Sequence, residues 1–487
     1  MASSIGSAKK SARSLQKYQL ARFVSSILAG AFVFTISLLV TLWGQDIREA
    51  LAFGYLIQIL GYTLLNQIRH EFALIRLLQP SMISLLYIGL NCAIGAWAFN
   101  SGNVVNMLGA SSYSSWRNIE QMYILISICL FVLYLLSLRN LRMPASDLKI
   151  EFSGKRDPML VSLAIMFLFS ALAVSTTLSI GLLAQVKTII SAGLIYTLYR
   201  YDIKHKHILA FLVVVILASV SSHSKREAIF AVPAIFFIIL AYSPSSKADF
   251  KKVLLVTFGL LLTLILVIAM SIVRGYGGYD PSSLFDAIAY IPEYIQTPNS
   301  LGWLMNNFEL SYIFLHLHNC ISVSILSNAE LAYGETYIRV LVIGPIGDLV
   351  GYKPESIIAQ YTGDIFPGFR AVGGSFGVTS IGEAVWNFGW FGPVALALVY
   401  GALDGLYVML IKMVRSHGAW TSIFALNALQ FTMYYTRGSG LDLLIIYLII
   451  SAIGCLIFTA FLSLFRPSLL GRAIPQGRSQ PNLETSI

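Results

Sequence analysis

Charge is what this chain lacks most. Only 11% of its 487 residues are Asp, Glu, Lys or Arg, where a soluble domain carries about 25%. With 57% apolar residues and a mean hydropathy of +0.74, that shortage excludes a water-soluble globular chain. Cysteine is scarce too: Cys92, Cys129, Cys320 and Cys455 stand far apart, without the spacing of a disulfide framework or a zinc site. A Walker A loop, a Rossmann glycine fingerprint, an HExxH pair and clustered metal ligands are all missing. The sequence thus encodes no recognisable nucleotide-driven energy source and calls for no cofactor. No DxD-like acidic pair sits near an outer loop, which argues against metal-dependent glycosyl transfer. His316 and His318, two apart, fall on different faces of a helix and suit no shared metal.

What is present is a series of apolar runs close to a bilayer's thickness, the pattern of an all-α polytopic membrane protein. The runs predict spans at 21–44, 49–67, 81–99, 119–138, 158–180, 184–199, 207–222, 227–242, 253–272, 384–411, 419–435 and 440–464, about twelve in total. The basic stretch 1–20 precedes a full-length apolar run with no small-residue cleavage site, so a retained first helix is expected rather than a signal peptide. The chain then divides into transmembrane helices 1–9 over 21–272, a large loop over 273–383, helices 10–12 over 384–465, and a polar tail over 466–487.

Sorting the cations by side fixes the orientation. The side that holds the N-terminus collects 23 of the 33 Lys and Arg residues and is read as cytoplasmic. Because the cations are dispersed over short loops rather than gathered on one soluble face, the +10 net charge does not imply nucleic acid. Leu310–Leu326 is apolar enough to resemble a span, but counting it would reverse the later loops and put His316, His318 and Asn319 in lipid. It is expected to be an amphipathic or re-entrant element packed on the outer surface.

The remaining ten cations lie on the outer side: Arg48, Arg117, Lys187, Lys225, Arg226, Arg274, Arg339, Lys353, Arg370 and Arg437. Arg48 and Arg117 have acids beside them, and Lys187 can snorkel to a headgroup boundary. Lys225 with Arg226, Arg274, and Arg437 terminate three different apolar runs at headgroup depth. A guanidinium fork suits phosphate there; pairing with Glu227, Asp280 and Asp442 or simple headgroup contact are the plainer alternatives. The long loop is acidic and rich in aromatics, Tyr276 and Tyr337 among them, which suits sugar hydroxyls and rings but also an interfacial aromatic belt.

Glu383 is the sharpest acid. It follows GGSFGVTSIG and opens an apolar run, so a partly desolvated carboxylate at the outer end of a span is expected there, suited to general-base work. A helix N-terminal carboxylate facing the macrodipole is the structural alternative.

Five marks, SHSKRE, IVRG, YGETY with a following Pro and KP pair, GGSFGVTSIGE-x5-GWFG, and YYTRG, resemble the O-antigen polymerase (Wzy-type) family. The likeness is strongest from about 270 to 400, and Ile346 departs from it where relatives often carry Arg. The resemblance implies a GT-C-like membrane glycosyltransferase in a bacterial inner membrane, with its active site facing the periplasm. It further implies that undecaprenyl-diphosphate-linked oligosaccharide serves as both donor and acceptor in a lipid environment. A chain-length regulator and a flippase are implied partners. Glu383 and Arg274 are then the catalytic candidates, with Lys225, Arg226, Arg339, Lys353, Arg370, Arg437, Tyr276 and Tyr337 as diphosphate or glycan contacts. An O-antigen ligase shares the architecture and the lipid-diphosphate donor, but the YGETY and KP marks favour a polymerase. A transporter of lipid-linked sugars is a third reading, disfavoured by the one-sided loop and the absence of an obvious repeat.

Overall fold

A computed structural model describes residues 2–44, 47–100, 119–139, 181–200, 205–220, 225–241, 249–273, 283–297, 310–326, 331–342, 351, 354–415 and 419–465. Among the described residues there are helices and turns but no strand. The first four helices are α1 (Ala2–Trp43), α2 (Ile47–Arg69), α3 (Pro80–Asn100) and α4 (Ile119–Ser137). They are followed by α5 (Gly181–Arg200), α6 (Lys206–Val220), α7 (Lys225–Ala241), α8 (Phe250–Val273) and α9 (Leu284–Gln296). Shorter pieces come next: α10 (Leu310–Ile321), α11 (Glu335–Val342), α12 (Ile357–Ile365), α13 (Pro367–Ala371) and α14 (Ser380–Phe388). The last long helices are α15 (Gly392–Arg415), α16 (Ala419–Arg437) and α17 (Leu441–Phe465).

Every predicted span on described residues except 384–411 coincides with a single helix; the one at 158–180 lies outside them. Six described segments are long and apolar enough to cross a membrane: Gln19–Trp43, Glu49–Arg69, Pro80–Trp97, Ile119–Ser137, Phe250–Met270 and Ser380–Val414. The packing agrees with a lipid surround. Leu28, Phe32, Phe258, Leu398 and Ile457 face outward, while Ser37, Gln58, Asn66, Ser84 and Asp404 are buried inside. Hydrogen-bonding side chains between helices and bare apolar ones outside are what a membrane bundle needs.

Two apolar cores share the same pair of helices. One gathers α2, α3, α4, α10 and α14 around Leu396 and Tyr400 of α15 and Phe431 and Tyr435 of α16. The other gathers α5 to α9 around Tyr407, Leu410 and Ile411 of α15 and Ile423, Leu426 and Leu429 of α16. Thus α15 and α16 each give one half to each core and join them.

Two expectations change. The apolar run opened by Glu383 is not one helix: α14 ends at Gly389, at φ +54, and α15 starts afresh from Gly392 and Pro393. The whole segment Ser380–Val414 has 35 residues, more than the roughly 20 a bilayer requires. The element at Leu310–Leu326, expected to be amphipathic or re-entrant on the outer surface, is buried against other helices. Ile313, Phe314, Leu317, Cys320 and Ile321 of α10 are buried, and α10 packs on α3 and α14. Its polar groups avoid lipid by meeting protein: the His316 Nδ1 lies 2.8 Å from the Tyr361 hydroxyl.

A buried carboxylate ties α15 to α3. Asp404 accepts from the Gln79 amide at 2.8 Å, the Ser81 hydroxyl at 2.7 Å and the Ser81 backbone N–H at 3.0 Å. Ser81 is the second residue of α3, so a side chain from another helix caps a terminus whose first residue, Pro80, has no N–H to satisfy. Asp404→Ala should leave the Ser81 hydroxyl and N–H without an acceptor and cost about 2–3 kcal/mol, read as a lower melting temperature in detergent. Asp404→Asn, which keeps one acceptor oxygen, should lose less, and an unchanged melt for Asp404→Ala would contradict the cap.

Candidate functional site

Glu383 sits in the first turn of α14, whose N-cap Thr379 accepts the Gly382 N–H at 3.2 Å. The residue is 1% exposed. Its carboxylate is met by two segments remote in sequence. The Thr336 hydroxyl of α11 donates to Oε1 at 2.9 Å. The Leu441 N–H, the first of α17, donates to Oε2 at 3.1 Å and lies 3.4 Å from Oε1. One carboxylate therefore sits at the positive ends of two helices, its own and α17. Burial in this degree corrects the expectation of a partly desolvated group at the end of a span.

Asn387, one turn further along α14, completes the arrangement. Its amide donates to the Glu383 carbonyl at 2.8 Å and to the Thr336 hydroxyl at 2.7 Å, and its Oδ1 lies 3.4 Å from the Thr336 N–H. The proton directions follow: Asn387 donates to Thr336, and Thr336 donates to Glu383.

Arg339, one turn after Thr336, forms an ion pair with the buried Asp442 at the start of α17. Its Nε also donates to the Pro354 carbonyl at 2.9 Å, which holds Pro354 near the same helix end. Asp442, a candidate partner for the outer arginines, is thus taken by Arg339. The Tyr337 ring packs 5.7 Å from that of Phe388, and its hydroxyl lies against Tyr435 within electrostatic reach of Glu383.

The backbones meet as closely as the side chains. Gly438, at φ +112, lies so near the Val378 carbonyl that a Cβ there would overlap it, and a Cβ on Gly377 would stand 3.2 Å from the Gly438 oxygen. Only glycines let the GGSFGVTS strand of chain cross the YYTRG turn. Beneath the crossing the Tyr400 hydroxyl gathers those of Ser84 at 2.7 Å, Ser380 at 2.8 Å and Thr436 at 3.2 Å.

Of the predicted site residues, the structure brings together Glu383, Tyr337, Arg339 and the partly buried Arg437, the last residue of α16. Arg370 is exposed on α13, and Lys225 and Arg226 open α7. Arg274, Tyr276 and Lys353 lie outside the described residues. Thr336, Asn387 and the Leu441 N–H were not singled out by sequence. Asn387, four residues after Glu383 and so on its face of the helix, carried the clearest available signal. Among the described residues no three His, Cys, Asp or Glu side chains gather as a metal site would need.

Gly438→Ala should prevent recovery of folded, monodisperse protein. Gly405→Ala, where a Cβ meets nothing within 4 Å, should melt at or above the wild-type temperature. Glu383→Ala leaves the Thr336 hydroxyl and the Leu441 N–H unpaired, at about 1–3 kcal/mol for each buried group; its melting temperature should fall further than that of Glu383→Gln. Equal melts for all four proteins would show that the crossing and the carboxylate do not hold the site.

No family model, curated protein or solved structure matches the chain.

Proposed function

We propose that the chain is a polytopic glycosyltransferase of a bacterial inner membrane that polymerises undecaprenyl-diphosphate-linked oligosaccharide repeat units at the periplasmic face. In this reading about twelve helices cross the membrane in a GT-C-like arrangement, and no nucleotide sugar or metal takes part. The observation that carries it is the meeting of three separate marks: Thr336 of YGETY donates to Glu383 of GGSFGVTSIGE, and Gly438 of YYTRG lies against Val378 of that same segment. Segments that share a resemblance but lie far apart in sequence are expected to meet if they form one site.

The reaction joins a sugar hydroxyl of one unit to the anomeric carbon of another. The new C–O bond forms as the bond to diphosphate breaks, undecaprenyl diphosphate leaves with the electron pair, and the hydroxyl proton passes to a base. Arg437, at the edge of the crossing, Arg226, in the first turn of α7, and Arg274, which follows the last residue of α8 in sequence, are assigned to the diphosphates. Charge develops on the leaving group, where fixed cations act most strongly. Lys225, Lys353 and Arg370 assist. Arg339 acts differently: its pairing with Asp442 and Pro354 positions α11 against the start of α17 rather than a substrate.

Glu383 is the proposed base. It already accepts from an alcohol, the Thr336 hydroxyl at 2.9 Å, the same chemistry it would perform on a sugar hydroxyl. Because it is enclosed, catalysis requires the acceptor hydroxyl to take the position of Thr336, so a movement of α11 belongs to the proposal.

Deletion in the native host should leave lipopolysaccharide with single repeat units on a gel, and the wild-type gene should restore the ladder. Arg274→Ala, Arg437→Ala and Glu383→Gln should insert in the membrane yet fail to restore it. Bare core after deletion would assign a ligase, loss of periplasmic units would assign a transporter, and an unaltered ladder would overturn the reading.

A further inference from the structure

Two hydroxyls beside Glu383 carry protons that the fold leaves unclaimed. The Tyr337 hydroxyl of α11 lies against Tyr435 of α16, and both tyrosines are within electrostatic reach of Glu383. Both hydroxyl oxygens are buried, and neither has a hydrogen-bond partner. Turning one toward the other would not remove the surplus: one would donate, the other accept, and the second proton would still have no acceptor.

A buried hydroxyl without a partner is costly, since the water it gave up is not replaced. Tyr400 shows the satisfied form. Its ring lies 5.8 Å from that of Tyr435 and is equally buried, yet its hydroxyl meets those of Ser84, Ser380 and Thr436. Tyr55 and Tyr62 also have unpartnered hydroxyls; Tyr337 and Tyr435 differ in facing the proposed base.

Glu383 itself has a free acceptor position. A carboxylate offers about four lone-pair sites. The Thr336 hydroxyl and the Leu441 N–H lie 2.9 and 3.4 Å from Oε1, and the same N–H is the one donor to Oε2, at 3.1 Å. The three side chains therefore present one acceptor and two groups that both donate and accept. A phosphate there would face the charge of the carboxylate, and a hydrocarbon would leave both protons unclaimed. A sugar ring fits, because its hydroxyls stand on adjacent carbons: one gives its proton to Glu383 while its neighbour accepts from a tyrosine.

Resting on the glycan reading above, we propose that Tyr435 and Tyr337 bind the acceptor sugar through the hydroxyl adjacent to the one that attacks, so that the site takes a vicinal diol. Tyr435 is the fixed contact, being carried on α16, whereas Tyr337 moves with α11 when Thr336 withdraws. Neither tyrosine takes the reacting proton, which passes to Glu383; they set the orientation of the ring. An acceptor whose neighbouring oxygen is missing or acylated would leave the tyrosine protons unclaimed and be rejected.

The test uses the purified full chain, with the lipid-linked repeat unit extracted from the deletion strain and with undecaprenyl diphosphate, which carries no sugar. Tyr435→Phe should melt at or above the wild-type temperature, and Tyr400→Phe below it. In Tyr435→Phe the lipid-linked unit should stabilise only at about tenfold higher concentration, and chain growth in liposomes should slow about tenfold. Undecaprenyl diphosphate should stabilise Tyr435→Phe as it does the wild type, and Tyr337→Phe should change binding and chain growth in the same direction. Three results would each overturn the proposal: a Tyr435→Phe melt as low as that of Tyr400→Phe, which makes the hydroxyl structural; wild-type binding and chain growth in Tyr435→Phe; or a sodium-dependent rise in the wild-type melt that Tyr435→Phe abolishes, which assigns the place to a cation. Failure of the glycan reading has a different signature, a wild-type protein that the lipid-linked unit stabilises no better than undecaprenyl diphosphate does.

Discussion

The candidate site depends on one carboxylate accepting from two segments remote in sequence. Glu383 receives a hydroxyl from α11 and a backbone N–H from the start of α17. Those donors sit in a place that water does not reach, where an unmatched polar group is costly. The carboxylate thereby fixes the spacing of α14, α11 and α17, and Asn387 and Arg339 only refine what it has set. The same logic recurs at Asp404, where a buried acid from α15 satisfies the first turn of α3. In both places an acid joins helices by serving a helix start that its own neighbourhood leaves open.

Glycine supplies the complementary constraint. The hydrogen bonds around Glu383 demand that the chain before α14 pass directly over the turn after α16, and that passage leaves no room for a Cβ at Gly438. Polar satisfaction and backbone proximity are two aspects of one packing solution. Losing either would separate the marks that the proposed chemistry needs together.

The helices were legible in the sequence because their length and apolar content are local properties that a bilayer constrains directly. Glu383 was legible for the opposite reason, as a single acid among glycines and apolar residues. Its partners were not: Thr336 and Leu441 lie 47 and 58 residues away, and nothing local in YGETY or GSGLD says which carboxylate they meet. The burial of the element at 310–326 was not legible, because His316 and Asn319 were weighed against lipid, whereas in the fold they face protein. Asp442 stands five residues from Arg437 yet pairs with Arg339, since proximity along the chain at a helix start counts for less than which helix packs on it.

The crossing at Gly438 also sets an order of assembly. The chain before α14 is synthesised about sixty residues before the turn it passes over and before the N–H of Leu441 that its acid serves. During biosynthesis, α1 to α15 must therefore be held with an acid among them that still lacks its α17 donor until the final two helices emerge. Contacts this remote close late and slowly. A translation product halted before residue 437 would contain most of the apolar mass of the protein and none of the closure, an open intermediate that membrane quality control could recognise.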